Sequence, residues 1–152
     1  MSLESRIEEF FAKCVQIIHD EITRSLAYLG EQCVSRIKDR SQEESWIDHT
    51  GNLRSSIGYA IYDHGTEIIE GMFSGTTEGA SVGQQMLSEL ANLYSETYAL
   101  VVVAGMEYAE FVEAHDNKDV LASTKLWADG KINDVLEMAK KRAEDKINSL
   151  TV

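Results

Sequence analysis

Apolar residues in the first 38 positions recur at three- and four-residue steps: Ile7, Phe11, Cys14, Ile18, Ile22, Leu26, Leu29, Cys33 and Ile37. That spacing traces one stripe along an α-helix. Phe10, Val15 and Ile17 widen it, while Arg6, Glu9, Lys13, Asp20, Arg24, Glu31 and Lys38 fall mostly elsewhere. A helix of this length runs about 50 Å, more than a small domain needs for its own core. The excess predicts that part of it packs on a neighbouring subunit, or that it breaks near Gly30.

The period then changes. Residues 39–52 are polar and end in turn formers, with Trp46 and Ile47 as anchors. Residues 57–62 alternate and are rich in β-formers, Asp63-His64-Gly65-Thr66 reads as a hairpin turn, and residues 67–73 as the return strand. Residues 74–81 read as a flexible small-residue loop, and 82–94 as a helix carrying Met86, Leu87, Leu90, Leu93 and Tyr94. The β-branched run at 98–104 predicts a buried strand. Residues 108–114 suggest a short helix and 119–123 a short extended piece. A last amphipathic helix runs to about Ser149, with Ile132, Val135, Leu136, Ala139, Ala143, Ile147 and Leu150 on one side. Lys140, Lys141, Arg142 and Lys146 suit its C-terminal dipole. The order predicts one α+β domain over residues 1–152 with a small, mostly antiparallel sheet. Its parts are the long helix (1–38), the hairpin, helix and buried strand (39–117) and the C-terminal helix (118–152).

Length and composition fit that reading. The chain has 152 residues, 43% apolar and 26% charged, enough for a core without staples. Its longest strongly apolar run, residues 98–106, is far shorter than a bilayer span, and the acidic N-terminus lacks the basic stretch of a signal peptide. Membrane partners are therefore not expected.

Charge sharpens the picture. The formal net charge is −12, which disfavours wrapping nucleic acid, so no sequence-specific nucleic acid is expected either. Residues 55–117 carry 10 acids and no Lys or Arg, whereas residues 118–152 carry 7 bases and 6 acids. One surface is thus predicted to be strongly negative.

Candidate chemistry is thin. Cys14 and Cys33 lie 19 residues apart in one helical pattern, about 28 Å of rise, so they cannot form a disulfide within it. Every histidine neighbours an aspartate: His19-Asp20, Asp48-His49, Asp63-His64 and His115-Asp116. Sequence neighbours point in different directions, and no metal-ligand spacing is present. The glycine-rich stretch 75–83 precedes a helix but lacks the lysine of a phosphate loop, and Glu78 would repel phosphate. Glu110 and Glu113 stand one helical turn apart and could share a proton if buried. No positioned nucleophile is evident. The expectation is a protein without catalytic residues, metal or cofactor.

Two stretches carry a resemblance. Thr50-Gly51-Asn52-Leu53-Arg54-Ser55-Ser56-Ile57 precedes the hairpin, and Gly105-Met106-Glu107-Tyr108-Ala109-Glu110-Phe111-Val112-Glu113 follows the strand. In physical terms Thr50 or Asn52 can cap a short turn, Gly51 supplies free backbone angles, and Leu53 and Ile57 share a face. In this order, behind a long N-terminal helix, the pair resembles the tail-completion (neck) proteins of long-tailed phages, the HK-ninety-seven gene-product-ten-like head–tail joining family. Where many members continue into a proline-rich stretch, this chain has Asp119-Val120-Leu121-Ala122-Ser123-Thr124.

The resemblance implies a non-enzymatic α+β virion subunit that assembles as a homo-oligomer, often a ring, between capsid portal and tail. Its partners would be copies of itself and other phage head or tail proteins. Its place would be the host bacterial cytoplasm during assembly, then the virion. Thr50, Gly51, Asn52, Leu53, Arg54, Tyr108, Ala109 and Glu113 would be structural or interfacial. The same pattern also fits a different class, a small cytoplasmic binding or regulatory protein with a helical dimer interface.

Overall fold

The computed structural model describes residues 1–39, 51–71, 73–90, 93, 95–105 and 121–151. The short helix expected at 108–114, the anchors Trp46 and Ile47, and Tyr94 lie outside the described residues.

Helix α1 spans Leu3–Asp39 without a break. Gly30 is a close-packing site instead of a hinge. A Cβ there would stand 2.6 Å from the Tyr59 ring and 2.9 Å from the Leu100 methyl, so glycine lets helix and sheet meet at short range. The stripe is buried from Leu26 through Leu29, Cys33 and Ile37.

A single turn, α2 (Asn52–Ser55), leads into strand β1 (Ile57–Asp63), which pairs antiparallel with β2 (Thr66–Gly71). The predicted turn is present. His64 and Gly65 both have positive φ, 50° and 86°, which fits the right-handed twist of a two-residue hairpin. The register slips between Ile61 and Tyr62, a β-bulge on this pair. Strand β3 (Tyr98–Ala104) pairs antiparallel on the other side, giving the order β2-β1-β3.

Central β1 is covered on both faces, so its alternation feeds two cores. Ile57, Tyr59 and Ile61 pack with Leu26, Val34, Ile37 and Leu53. Ala60 and Tyr62 pack with Leu87, Val101 and Val103. Helix α3 (Thr77–Leu90) covers this second face. Edge strand β3 is only partly buried, with Leu100 and Val102 half exposed.

Three expectations need correction. Residues 77–81 are not loop but the first turn of α3, because the Thr76 hydroxyl accepts the Gly79 N–H and caps the helix. That helix ends at Leu90, and Leu93 beyond it is exposed. Residues 122 and 123 are helical, not extended. The last helix, α4 (Ala122–Asn148), starts there, with the Lys125 N–H bonded to the Leu121 carbonyl at 3.0 Å.

Helix α4 packs chiefly on α1 and little on the sheet. Of its expected stripe only Ala139 and Ala143 are buried, and Leu136 is exposed. Among the described residues the result is α+β: α1 with α4 packed on it, a three-stranded antiparallel sheet, α3 on its far face, and the single turn α2 at the corner.

Candidate functional site: a helix junction, an ion triad and an uncovered stripe

The stretch from Gly51 to Ile57 is a structural junction. Gly51 has φ 81° and precedes α2 with no side-chain cap. Asn52 does not cap its own turn, as the sequence had suggested, but reaches α3. Its Oδ1 accepts from the Thr76 hydroxyl at 2.5 Å and its Nδ2 donates to Glu78 at 3.0 Å. The Ser55 hydroxyl donates to the Gly51 carbonyl at 2.6 Å and accepts the Thr76 N–H at 2.7 Å. Arg54 donates to the Lys38 carbonyl in the last turn of α1, one of the carbonyls a helix end leaves without an intrahelical partner. Leu53 and Ile57 are fully buried in one core. The Gly105 N–H closes the corner on the Ser56 carbonyl at 3.2 Å. Gly83 must lack a side chain because a Cβ would run into that same Ser56 carbonyl. The glycine-rich stretch is therefore helix-docking surface, and Glu78 is engaged by Asn52. Thr50, Tyr108, Ala109, Glu110 and Glu113 lie outside the described residues.

One histidine–aspartate pair gains partners that adjacency did not suggest. The sheet carries Asp63, His64 and Tyr98 to the middle of α1, where His19 waits. His19 Nδ1 is 2.7 Å from the Tyr98 hydroxyl and 3.6 Å from Asp63 Oδ2. His64 Nδ1 is 2.5 Å from Asp63 Oδ1. Burial, and then the Asp63 charge, push the Tyr98 hydroxyl above its ordinary value. This ties the hairpin tip to α1. Among the described residues no group of three His, Cys, Asp or Glu side chains is placed to hold a metal. His49 and His115 lie outside them.

The sequence reading missed the most buried charge among the described residues. Glu21 is 1% exposed on the face of α1 that meets α4. Arg142 Nε donates to one carboxylate oxygen at 2.9 Å and Lys146 Nζ to the other at 2.5 Å. Arg142 also reaches the Ser25 hydroxyl at 2.6 Å. The hydrogen bonds from Lys146 and Arg142 hold the Glu21 carboxyl below its usual value against the opposing effect of burial. Arg36 stacks on Trp127 at 4.4 Å, a second link between α1 and α4. Cys33 is buried and its thiol is pushed up to about 11, while Cys14 is half-buried.

Toward its N-terminus the same stripe of α1 loses its cover. Leu3, Ile7, Phe11, Val15 and Ile18 are exposed. The stripe opens into an apolar cavity of about 370 Å³ between α1 and α4, lined by Ile18, Ile22, Leu136, Ala139, Ala143 and Ile147 with Lys140 and Glu144. Among the described residues no helix is long and apolar enough to cross a membrane. Comparison with protein-family models, with curated proteins and with solved structures returns no match for this chain.

Proposed function

We propose that this chain is a non-enzymatic subunit of the phage head–tail junction that joins or completes tails by assembling with copies of itself, in a ring, and with neighbouring virion proteins. The lopsided charge supports this reading most. From Ser55 to Gly105 the chain carries Asp63, Glu67, Glu70, Glu78, Glu89 and Glu96 and not one Lys or Arg. Helix α4 carries Lys125, Lys131, Lys140, Lys141, Arg142 and Lys146 among five acids, Asp129, Asp134, Glu137, Glu144 and Asp145, and two of those bases are held by Glu21. A strongly acidic segment beside one of near-balanced charge suits head-to-tail contacts between neighbours, which form a ring where the rotation between them closes. An acidic wall would also let DNA pass without sticking. The resemblance carried by the ordered pair of stretches, Thr50 to Ile57 and Gly105 to Glu113, adds to this.

Electron microscopy of the protein alone, and mixed with phage portal and tail proteins where its neighbouring genes encode them, tests the reading. Rings or a joined complex are expected. Their absence in every mixture counts against it. The uncovered α1 stripe favours a second reading, a small helical-dimer binding protein. A stable two-chain species whose gene lies away from capsid and tail genes would favour that one.

A further inference from the structure

The sheet has two edges, and the sequence treats them differently. Strand β2 carries Glu67 and Glu70, and a bulge breaks its pairing with β1. Charges and bulges on an edge strand discourage pairing with another chain. Strand β3 has neither. Its residues, Tyr98–Ala104, hold no charge and pair with β1 in unbroken register. The Thr97 carbonyl accepts the His64 N–H at 3.1 Å, and the Gly105 N–H donates to the Ser56 carbonyl at 3.2 Å. Both bonds lie in the register of the ladder, so the odd-numbered residues of β3 turn their N–H and C=O toward β1. Tyr98, Leu100 and Val102 turn theirs away, and among the described residues no strand meets them. All three are half-buried. A row of backbone donors and acceptors at strand spacing, set among apolar side chains, is complementary to an extended backbone.

Space for side chains flanks this row. Helix α4 packs on α1 and hardly on the sheet, and two cavities of about 350 and 490 Å³ lie between α4 and β3. One sits by Val102, against Ile37 and Leu121, and the other by Tyr98, against Leu26 and Ile132. Leu100 and Ala128 line both. Alternate residues of a strand share a face, so the apolar side chains of one added strand can enter both cavities. Helix α4 walls the space on its far side, so the occupant is a lone strand. The β3 edge of a second copy would bring its own α4 into the same space.

We propose that the β3 edge binds a single extended segment of another protein, apolar at alternate positions, which adds a fourth strand beside Tyr98, Leu100 and Val102. Main-chain hydrogen bonds supply the affinity, and the two cavities select the apolar residues. The proposal stands apart from the joining role.

The test uses the full chain and a labelled peptide of alternating valine and threonine, about as long as β3, read by fluorescence anisotropy. Two twins carry N-methyl groups, one on the valines and the other on the threonines. The N–H groups of a strand point alternately to its two sides. One twin is therefore expected to lose about tenfold or more in affinity while the other binds as the plain peptide does. Ala128→Leu, which fills part of both cavities, should weaken binding of the plain peptide about tenfold or more with unchanged circular dichroism. The proposal falls if the plain peptide does not bind, if the two twins bind alike, or if a folded Ala128→Leu binds as the parent does. The twins need no variant, so they decide even where Ala128→Leu does not fold. It also falls if the parent sediments as a two-chain species that Ala128→Leu splits, since a second copy then occupies the edge. Failure to see rings or joined complexes by microscopy would sink the joining role while leaving the peptide result standing.

Discussion

Removing the carboxylate from the Glu21 triad should cost less than removing its two bases. The reason is unequal burial. The Glu21 side chain is 2% exposed, while those of Arg142 and Lys146 are 34% and 55% exposed. In Glu21→Ala both bases can swing into water and rehydrate. The loss is then the charge-assisted hydrogen bonds, discounted for solvent already present, about 1–2 kcal/mol. In the Arg142→Ala, Lys146→Ala double variant a carboxylate is left between α1 and α4 with neither base, and the expected cost is about 3–5 kcal/mol. For a chain of this size the first lowers Tm by a few degrees and the second by roughly 10 °C. Urea unfolding followed by circular dichroism, with linear extrapolation, measures both. Replacing all three residues by Met should recover most of the double variant's loss, because no charge is then buried. The reasoning is refuted if Glu21→Ala costs as much as the double variant, or if the triple Met variant is the least stable of the set.

The triad also sets an acid limit. Its folded-state carboxyl value is depressed, so its contribution is present above the unfolded value near 4.5 and is lost as pH falls through the folded one. Parent stability should therefore drop below about pH 4.5 more steeply than that of Glu21→Ala, which acid titration of the unfolding midpoint would show. Thr76→Ala removes the cap of α3 and the anchor of Asn52, and should cost about 1–2 kcal/mol; calorimetry reads it, and no change in Tm would mean the junction is not holding the helix start. Leu53→Ala opens a cavity under the junction and should cost about 2–5 kcal/mol in the same measurement. Thiol labelling at pH 8 should modify Cys14 well before Cys33, whose thiol is raised to about 11; equal rates would contradict its burial.

The elements with a strong period were legible in the sequence. The stripe from Ile7 to Ile37 gave α1, and the β-branched run gave β3. The hairpin was betrayed by Asp63-His64-Gly65-Thr66, where the chain can take positive φ twice. What local pattern could not show was where partners arrive from afar. Gly30 looked like a break because the ring of Tyr59, which fills the space beside it, lies 29 positions on. Residues 77–81 looked like loop because small residues are flexible by themselves. They are helical because Thr76 caps them and Asn52 and Ser55 hold Thr76. Glu21 read as one more polar residue, since nothing near it in sequence announces the two bases that arrive more than a hundred positions later. The meeting of His19 with Asp63 and Tyr98, far along the chain, was hidden in the same way.

The anchorage of α1 has a mechanical consequence. From Leu26 to Ile37 the helix is clamped by the sheet core, and Arg54 ties down its last turn. From Leu3 to Val15 its outward row is exposed, an arm of about 18 Å. An arm of that length turns a tilt of 5° at the clamp into a displacement of roughly 2 Å at the tip. The interlocked corner where α1, α2, α3 and β3 meet is thus the mount of a pointer, and stiffness in that mount fixes where the pointer's end stands.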